Sequence, residues 1–273
     1  MRYIPLITII VLQTNIAYTQ SAYAAYTQPS SGLDSASEFF SAVARQFHLI
    51  EELRYREKNT TQLKEAVDSV PRLISTWKAT IMNLKDTLDF NLLTIVKSED
   101  SAFCIVSWDT RLGDSKTDYA SVVLYKKNNS VYTRQQTQEF IKGKPENPKI
   151  KYTRIYTIKA KDKKIYLAKG YGQGRNTEPW QEIKSFCTED SSLLQPNILP
   201  GKKNRVFVAI NGMQLKGAKK IPPLSYDSTT LRLTVPVTDR DNIFTGSYIS
   251  YHFNSKKFKE IKDMDVRYAI APY

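Results

Sequence analysis

The spacing of apolar side chains changes once along this chain, near residue 91. Before that point apolar residues recur at steps of three and four, which places them on one face of a helix. After it they occur in short runs rich in Val, Ile, Tyr, Phe and Thr, separated by charged or polar tips, a pattern typical of antiparallel hairpins. The chain therefore predicts helices first and strands afterwards.

The helical part is predicted to span residues 34–90. Ser35 and Glu38 have the spacing of a capping box, so we expect the first helix to begin at Ser35. Its apolar face consists of Phe40, Val43, Phe47 and Ile50. A second helical stretch starts near Leu63 and is interrupted or restarted at Pro71. These helices need a partner surface to cover their apolar faces.

The remaining chain, residues 91–273, is predicted to form a β-rich domain. Leu92–Val96 and Phe103–Trp108 flank one polar tip, and Tyr152–Ile158 and Ile165–Ala168 flank another. The sequence thus predicts an α+β fold, in which an N-terminal helical segment packs on a mainly antiparallel β domain. A sandwich-like or partly closed arrangement is preferred to a degenerate propeller, because the tips are too irregularly spaced for regular blades.

The first 24 residues have the features of a secretory signal peptide. Met1-Arg2 gives a positive start, Ile4–Leu12 is an apolar run about half the length of a membrane anchor, and Ala22-Tyr23-Ala24 provides a cleavage site. Residues 25–33 are expected to form a flexible lead. We therefore expect an exported protein, periplasmic or extracellular, without a transmembrane segment after signal removal.

The positive charge of the chain lies in its second part. The whole chain has a formal net charge of +13. Residues 25–90 contain 8 Lys/Arg and 9 Asp/Glu, whereas residues 91–273 contain 31 Lys/Arg and 18 Asp/Glu. Such an excess attracts polyanions, but lysine-rich hairpin tips that keep a β-rich protein soluble explain it as well.

Candidate binding residues concentrate in the basic segment Lys142–Lys169, where tyrosines alternate with cations. Alternation of faces would put Tyr152, Arg154, Tyr156 and Ile158 on one side of a strand. The candidates are Lys142, Lys144, Lys149, Lys151, Lys163, Lys164 and, in a glycine-rich loop expected at 170–175, Arg175. Cations among aromatic rings suit an acidic glycan or another envelope component. Export argues against intracellular nucleic acid as the partner.

A second candidate site is the acidic loop that follows Trp108. Asp109, Asp114 and Asp118 could supply a general acid and base, and this is the basis of an alternative hypothesis, an envelope hydrolase. Carboxylates that simply shape a solvated turn fit the same pattern. With two histidines and no metal-ligand spacing, the sequence predicts neither a metal site nor a cofactor. The primary hypothesis is a non-enzymatic binding protein.

The two cysteines, Cys104 and Cys187, both lie in apolar, strand-like runs. Export would allow a disulfide between them to persist. Two buried thiols that never meet are an equally good interpretation.

Three strings of the β-rich part carry a family resemblance. They are Ile95-Val96-Lys97-Ser98-Glu99-Asp100, Ile105-Val106-Ser107-Trp108-Asp109-Thr110 and Val122-Val123-Leu124-Tyr125-Lys126. The chain resembles uncharacterised exported bacterial proteins in which a strand ends in Ser-Trp-Asp-Thr. Where that pattern has consecutive glycines after the Thr, this chain has Leu112-Gly113-Asp114. The resemblance implies the β-rich architecture and brings no known activity.

Overall fold

The computed structural model describes residues 33–55, 60–85, 87–90, 92–113, 117–135, 149–161, 163–173, 179–189, 192–211 and 221–261. The predicted signal peptide, the flexible lead up to residue 32 and the candidates Asp114, Lys142, Lys144 and Arg175 lie outside these residues. The chain forms two compact units, Met1–Ser41 and Ala42–Tyr273. Of the first unit only Leu33–Ser41 is described, and it is helical.

Four helices occupy the first part of the described chain. They are α1 Leu33–Tyr55, α2 Thr60–Asp68, α3 Val70–Thr76 and α4 Lys78–Asn83. Helix α1 begins two residues before Ser35, so Ser35 lies in its first turn and the predicted start was wrong. Pro71 lies at the beginning of α3, where its missing N–H leaves no helical hydrogen bond unmade. It thus starts a new helix rather than kinking an old one.

Fourteen strands follow among the described residues, and the first begins at Leu88, just before the expected change at residue 91. They are β1 Leu88–Phe90, β2 Leu93–Lys97, β3 Phe103–Asp109, β4 Tyr119–Lys127, β5 Ser130–Gln135, β6 Lys151–Ala160, β7 Lys163–Gln173, β8 Pro179–Glu189, β9 Ser192–Leu194, β10 Arg205–Ala209, β11 Ser225–Asp227, β12 Arg232–Thr238, β13 Phe244–Phe253 and β14 Phe258–Glu260. Every pairing between these strands is antiparallel.

The strands form three sheets. The first sheet has the order β1-β2-β3-β4-β5, the second β10-β8-β7-β6 with β9 paired to β8, and the third β11-β12-β13-β14. Most neighbours in a sheet are also neighbours in sequence, as expected for consecutive hairpins. None of the three sheets closes into a barrel through the described strands.

The second sheet lies between the other two, because its side chains alternate between two apolar clusters. Tyr166 and Phe186 pack with Phe103 and Ile105 of the first sheet. Leu167 and Ile183, which point the other way, pack in a cluster that includes Leu224, Tyr226, Leu233 and Phe253 of the third sheet region. Helices α3 and α4 contact β4 of the first sheet. The predicted α+β fold, a helical segment with a mainly antiparallel β domain, is confirmed.

Strand alternation also explains why Cys104 and Cys187 are free thiols rather than a disulfide. Phe103 and Ile105 point toward the second sheet, so Cys104 between them points to the opposite face of the first sheet. Cys187 belongs to the cluster shared with the third sheet. The interior of the sandwich thus separates the two sulfur atoms. The disulfide that the sequence left open is not formed.

Among the described helices, none combines the length and the apolar character that crossing a bilayer requires.

Candidate functional site

The four predicted binding lysines that the structure describes each have a carboxylate partner. The pairs are Lys149–Asp118, Lys151–Asp89, Lys163–Glu189 and Lys164–Asp100. The Lys151 and Lys164 ammonium groups lie 3.1 and 2.9 Å from their partner oxygens. The positive charge of these four side chains is therefore balanced locally.

Lys163 and Lys164 do not contribute to one common face. They are consecutive residues of β7, so their side chains leave the second sheet on opposite sides. Lys163 reaches Glu189 at the end of β8, whereas Lys164 reaches Asp100 in the turn between β2 and β3. Each lysine is therefore paired with a carboxylate of a different neighbouring segment.

The acidic loop is held together by ion pairs. Asp109, the last residue of β3, accepts a hydrogen bond of 2.9 Å from the backbone N–H of Arg111 and lies 3.3 Å from its Nη1. Arg111 Nε lies 2.5 Å from Oε1 of Glu51 in α1. Next to it, the backbone N–H of Thr110 donates to the carbonyl of Asp118, 2.7 Å away. The loop therefore connects α1, β3 and β4.

This arrangement favours a structural junction over a hydrolytic site. A general acid and base need carboxyl groups that can exchange a proton with a substrate. Asp109 is engaged by Arg111, and Asp118 is buried and paired with Lys149. Nowhere in the described chain do three or more His, Cys, Asp or Glu side chains gather as metal ligands. The hydrolase alternative stays a prediction, with Asp114 outside the described residues.

The glycine-rich segment expected as a flexible loop is part of a strand as far as Gln173. A Cβ on Gly170 would lie 2.3 Å from Ile150 Cγ2, and one on Gly172 would lie 2.1 Å from Trp180 Nε1 and 2.3 Å from the carbonyl oxygen of Lys149. These glycines therefore allow the chain before β6 to pack directly against β7. That close approach accounts for both glycines.

Strands β6 and β7 also carry an unbalanced pair of cations, which means two cations without a carboxylate partner among the described residues. Neither cation is among the binding candidates that the sequence indicated. Arg154 of β6 and Lys169 of β7 are directly opposite each other in the antiparallel register. The register shifts between Tyr152 and Arg154, so Tyr152 joins the cluster facing the first sheet while Arg154 and Lys169 share the other face. The predicted common face of Tyr152 and Arg154 was wrong, because alternation cannot reveal a bulge.

The surroundings of this pair are aromatic and apolar rather than acidic. The Arg154 guanidinium carbon lies 4.8 Å from the centre of the Tyr156 ring, which is buried beneath it. Burial, and secondarily the Arg154 charge, lowers the pKa of Lys169. In the part of the chain that the structure describes, no carboxylate forms an ion pair with Arg154 or Lys169.

An exposed tyrosine lies beside the cation pair. Tyr171 follows Lys169 by two residues in β7, so both side chains leave the same face of the sheet. Tyr171 is 43% exposed. The Tyr119 ring approaches it edge to face, with centroids 6.4 Å apart. Burial, followed by the neighbouring Tyr171 and Asp109, raises the pKa of Tyr119 to about 12.

No protein-family model, no curated protein and no solved structure matches this chain. The resemblance to exported bacterial proteins with a Ser-Trp-Asp-Thr strand end stays a prediction. In the structure, Ser107, Trp108 and Asp109 end β3, and the Trp108 side chain is buried.

Proposed function

We propose that this chain is an exported, non-enzymatic protein of the cell envelope that binds an anionic macromolecule. Arg154 and Lys169 are the centre of the binding site in this proposal. The observation that carries it is their direct opposition across β6 and β7, without a carboxylate partner among the described residues. Like charges at opposed positions of a sheet destabilise it. An anion that contacts both side chains removes that repulsion and gains two charge-assisted hydrogen bonds.

The contrast with the neighbouring lysines supports this choice. Lys149, Lys151, Lys163 and Lys164 lie on the same or adjacent segments, and each is paired with Asp or Glu. The pairing shows that acidic residues are present at these positions of the β domain, yet none is paired with Arg154 or Lys169 in the described chain. Export and the large positive charge of residues 91–273 remain inferences from the sequence that agree with an anionic envelope partner.

Two double variants of the mature chain test the proposal, and each removes two positive charges. In Arg154→Gln/Lys169→Gln the unbalanced pair is lost, whereas in Lys163→Gln/Lys164→Gln two balanced lysines are lost. Both are applied to a sulfated-polysaccharide column at about 0.05 M salt, where charge interactions are weakly screened. We expect the first variant to elute at clearly lower salt than the wild type and the second to elute close to it.

Equal elution of the two variants would contradict the proposal, because retention would then reflect net charge alone. Elution of the Arg154→Gln/Lys169→Gln variant with the wild type would contradict it as well. Far-ultraviolet circular dichroism of both variants checks that the β structure is intact. Both variants lose two positive charges, so any effect of net charge on retention is the same in the two proteins. A difference in retention between them therefore reflects where the charges were located.

A further inference from the structure

We infer that the anionic partner is an acidic polysaccharide, whose carboxylate groups contact Arg154 and Lys169 while an adjoining sugar ring lies on Tyr171. This inference rests on the proposed function and adds the chemical class of the ligand. It depends on the arrangement of two neighbouring cross-strand pairs on β6 and β7. Arg154 faces Lys169, and Lys151 faces Tyr171.

The distance between the cations and the ring suits adjoining groups of one ligand. Lys169 and Tyr171 are two residues apart on one strand, which corresponds to about 7 Å along the sheet. Both side chains leave the same face, so a chain molecule lying along β7 meets the ammonium group and the phenol ring in succession. The Lys151 charge next to Tyr171 is balanced by Asp89, so the unbalanced charge lies on the Arg154 side of the ring.

The Tyr171 ring is held in place although 43% of the residue is exposed. Tyr119 packs against it edge to face, with planes at 80°. Tyr119 is the first residue of β4 and Tyr171 lies two residues before the end of β7, so the ring contact joins the ends of these strands, although Tyr171 leaves the face that is turned away from the first sheet. A ring that is already ordered loses little conformational entropy when a ligand packs on it. Its apolar face then suits the C–H face of a sugar, whose hydroxyl groups stay in water.

The cation side suits a carboxylate. The Arg154 guanidinium offers a planar fork of N–H donors, which matches the two oxygens of a carboxylate. The Tyr156 ring beneath it, at 4.8 Å, restricts that fork. Lys169 is only partly exposed and provides a single ammonium group from the opposite strand. Together they form a narrow site for one anionic group rather than a broad positive surface.

A single-stranded nucleic acid fits the described residues less well. Such ligands are bound by several aromatic rings on which successive bases stack. On this face of β6 and β7 the described aromatic residues are Tyr156, which is buried, and Tyr171, which is exposed. A phosphatidylglycerol surface presents phosphate groups but no ring that would pack on Tyr171. A uronic acid polymer offers a sugar ring and a carboxylate in each unit. The ring would pack on Tyr171, and a carboxylate would contact the Arg154–Lys169 pair.

The mature chain is titrated with oligogalacturonate by calorimetry at low salt, and the methyl ester of the same oligomer serves as the uncharged control. We expect the free acid to bind and the ester to bind at least tenfold more weakly. Tyr171→Ala should weaken binding of the free acid about tenfold, because a stacked aromatic ring contributes on that scale. Tyr171→Phe, which keeps the ring, should bind like the wild type.

Parallel titrations use oligodeoxythymidylate and phosphatidylglycerol vesicles. Tighter binding of either probe than of oligogalacturonate would overturn the polysaccharide assignment, and so would equal binding of the acid by the wild type and Tyr171→Ala. Neither result affects the proposed function if the Arg154→Gln/Lys169→Gln variant still loses retention on the anionic column. If the Arg154→Gln/Lys169→Gln variant is retained like the wild type, the proposed function itself is contradicted. The two failures are therefore distinguishable.

The melting temperature, measured with and without ligand, provides an independent test of the same site. Lys169→Gln removes the repulsion from Arg154, so without ligand its melting temperature should equal or exceed that of the wild type. Added oligogalacturonate should raise the melting temperature of the wild type and leave that of Lys169→Gln nearly unchanged. A variant that melts far below the wild type in the absence of ligand would show that Lys169 is structural, and would overturn its role in binding.

Discussion

The hydroxyl of Tyr152 donates a hydrogen bond of 2.9 Å to Oε1 of Glu182, and both side chains are buried. The other carboxylate oxygen of Glu182 lies 3.5 Å from Nη1 of Arg205. The backbone N–H of Tyr152 donates to Oγ of Ser107, which belongs to the first sheet. This chain of polar contacts links the first two sheets through their apolar interface. Its energetics depend on whether Glu182 carries a proton.

Glu182 should make the protein gain stability as the pH falls. Burial raises the pKa of Glu182, and the charges of Lys184 and Arg205 with the Tyr152 hydrogen bond offset this only in part. Because the folded pKa exceeds the ordinary value of 4.5, the ionised form costs stability above the folded pKa. That cost disappears as the pH falls through the folded pKa to below 4.5. Urea unfolding of the wild type and Glu182→Gln across this range measures the difference.

The wild type should gain stability relative to Glu182→Gln as the pH falls. The opposite slope would mean that Arg205 holds the pKa of Glu182 below its ordinary value, contrary to this prediction. Tyr152→Phe serves as the matched variant, because it keeps the ring and removes the donor. It should cost about 1–3 kcal/mol, because the buried Glu182 carboxyl loses a hydrogen-bond partner.

The contribution of Asp100 to stability should have the opposite pH dependence from that of Glu182, because it should decrease as the pH falls. Burial raises the pKa of this carboxyl, but hydrogen bonds from Ser98, Lys164 and the Ala102 N–H, together with the Lys164 charge, outweigh burial and lower it below 3.8. A lowered pKa contributes stability that is present above the unfolded value of 3.8 and is lost as the pH falls through the folded value. Lys164→Gln should therefore reduce stability at neutral pH and have less effect in acid.

Acid titration of the folded signal by circular dichroism checks this prediction. Lys256→Gln, an exposed lysine in the turn before β14, is the charge-matched control and should leave the acid midpoint unchanged. A shift of the same size in both variants would indicate a net-charge effect, and the local pairing of Lys164 with Asp100 would not be needed to explain it.

Gly172→Ala should destabilise the protein by about 1–3 kcal/mol, the usual cost of forcing extra atoms into a packed site. The added methyl group would lie 2.1 Å from Trp180 Nε1 and 2.3 Å from the carbonyl of Lys149. Thermal or urea unfolding measures the loss. Trp180→Leu in the same chain should recover only part of it, because the Lys149 carbonyl remains. A neutral Gly172→Ala would show that β7 and the segment before β6 are not in close contact.

The cysteines should behave as two protected thiols. Burial raises the pKa of Cys104 to about 12, since the thiolate would lose its solvation, and Cys187 is also buried. We expect a thiol reagent to label neither residue in the native protein and both in denaturant without a reductant. Mass spectrometry of the mature chain under non-reducing conditions provides the check. A mass lower by two hydrogens, with labelling only after reduction, would reveal a disulfide and contradict the structure.

Much of the fold could be predicted from local patterns. Phe103–Trp108 was expected to be a strand, and β3 extends over Phe103–Asp109. The change from helical to alternating spacing was placed at residue 91, and the first strand begins at Leu88. These predictions succeed because the period of apolar residues directly reflects which face of an element is buried. The helix start predicted at Ser35 was wrong by two residues, because helix ends are defined only to within one or two residues.

The candidate site was less predictable. The sequence indicated the basic segment that contains Arg154 and Lys169, but selected lysines that are paired with Asp or Glu in the described structure. Partners such as Asp89 and Asp100 lie about sixty residues from their lysines, at distances of 62 and 64 positions. Composition counts charges without regard to these pairings. The alternation of polar and apolar residues does not predict the bulge before Arg154 either.

By itself, the sequence determined the order of helices and strands, the antiparallel hairpins and the placement of the positive charge in the second part of the chain. These follow from contacts between near neighbours, which the period and the turn residues record. The tertiary structure decided that the second sheet lies between the other two, that Cys104 and Cys187 point away from each other, and which cations of the described residues have no carboxylate partner there. These depend on contacts between residues far apart in the chain, and local spacing carries no information about them.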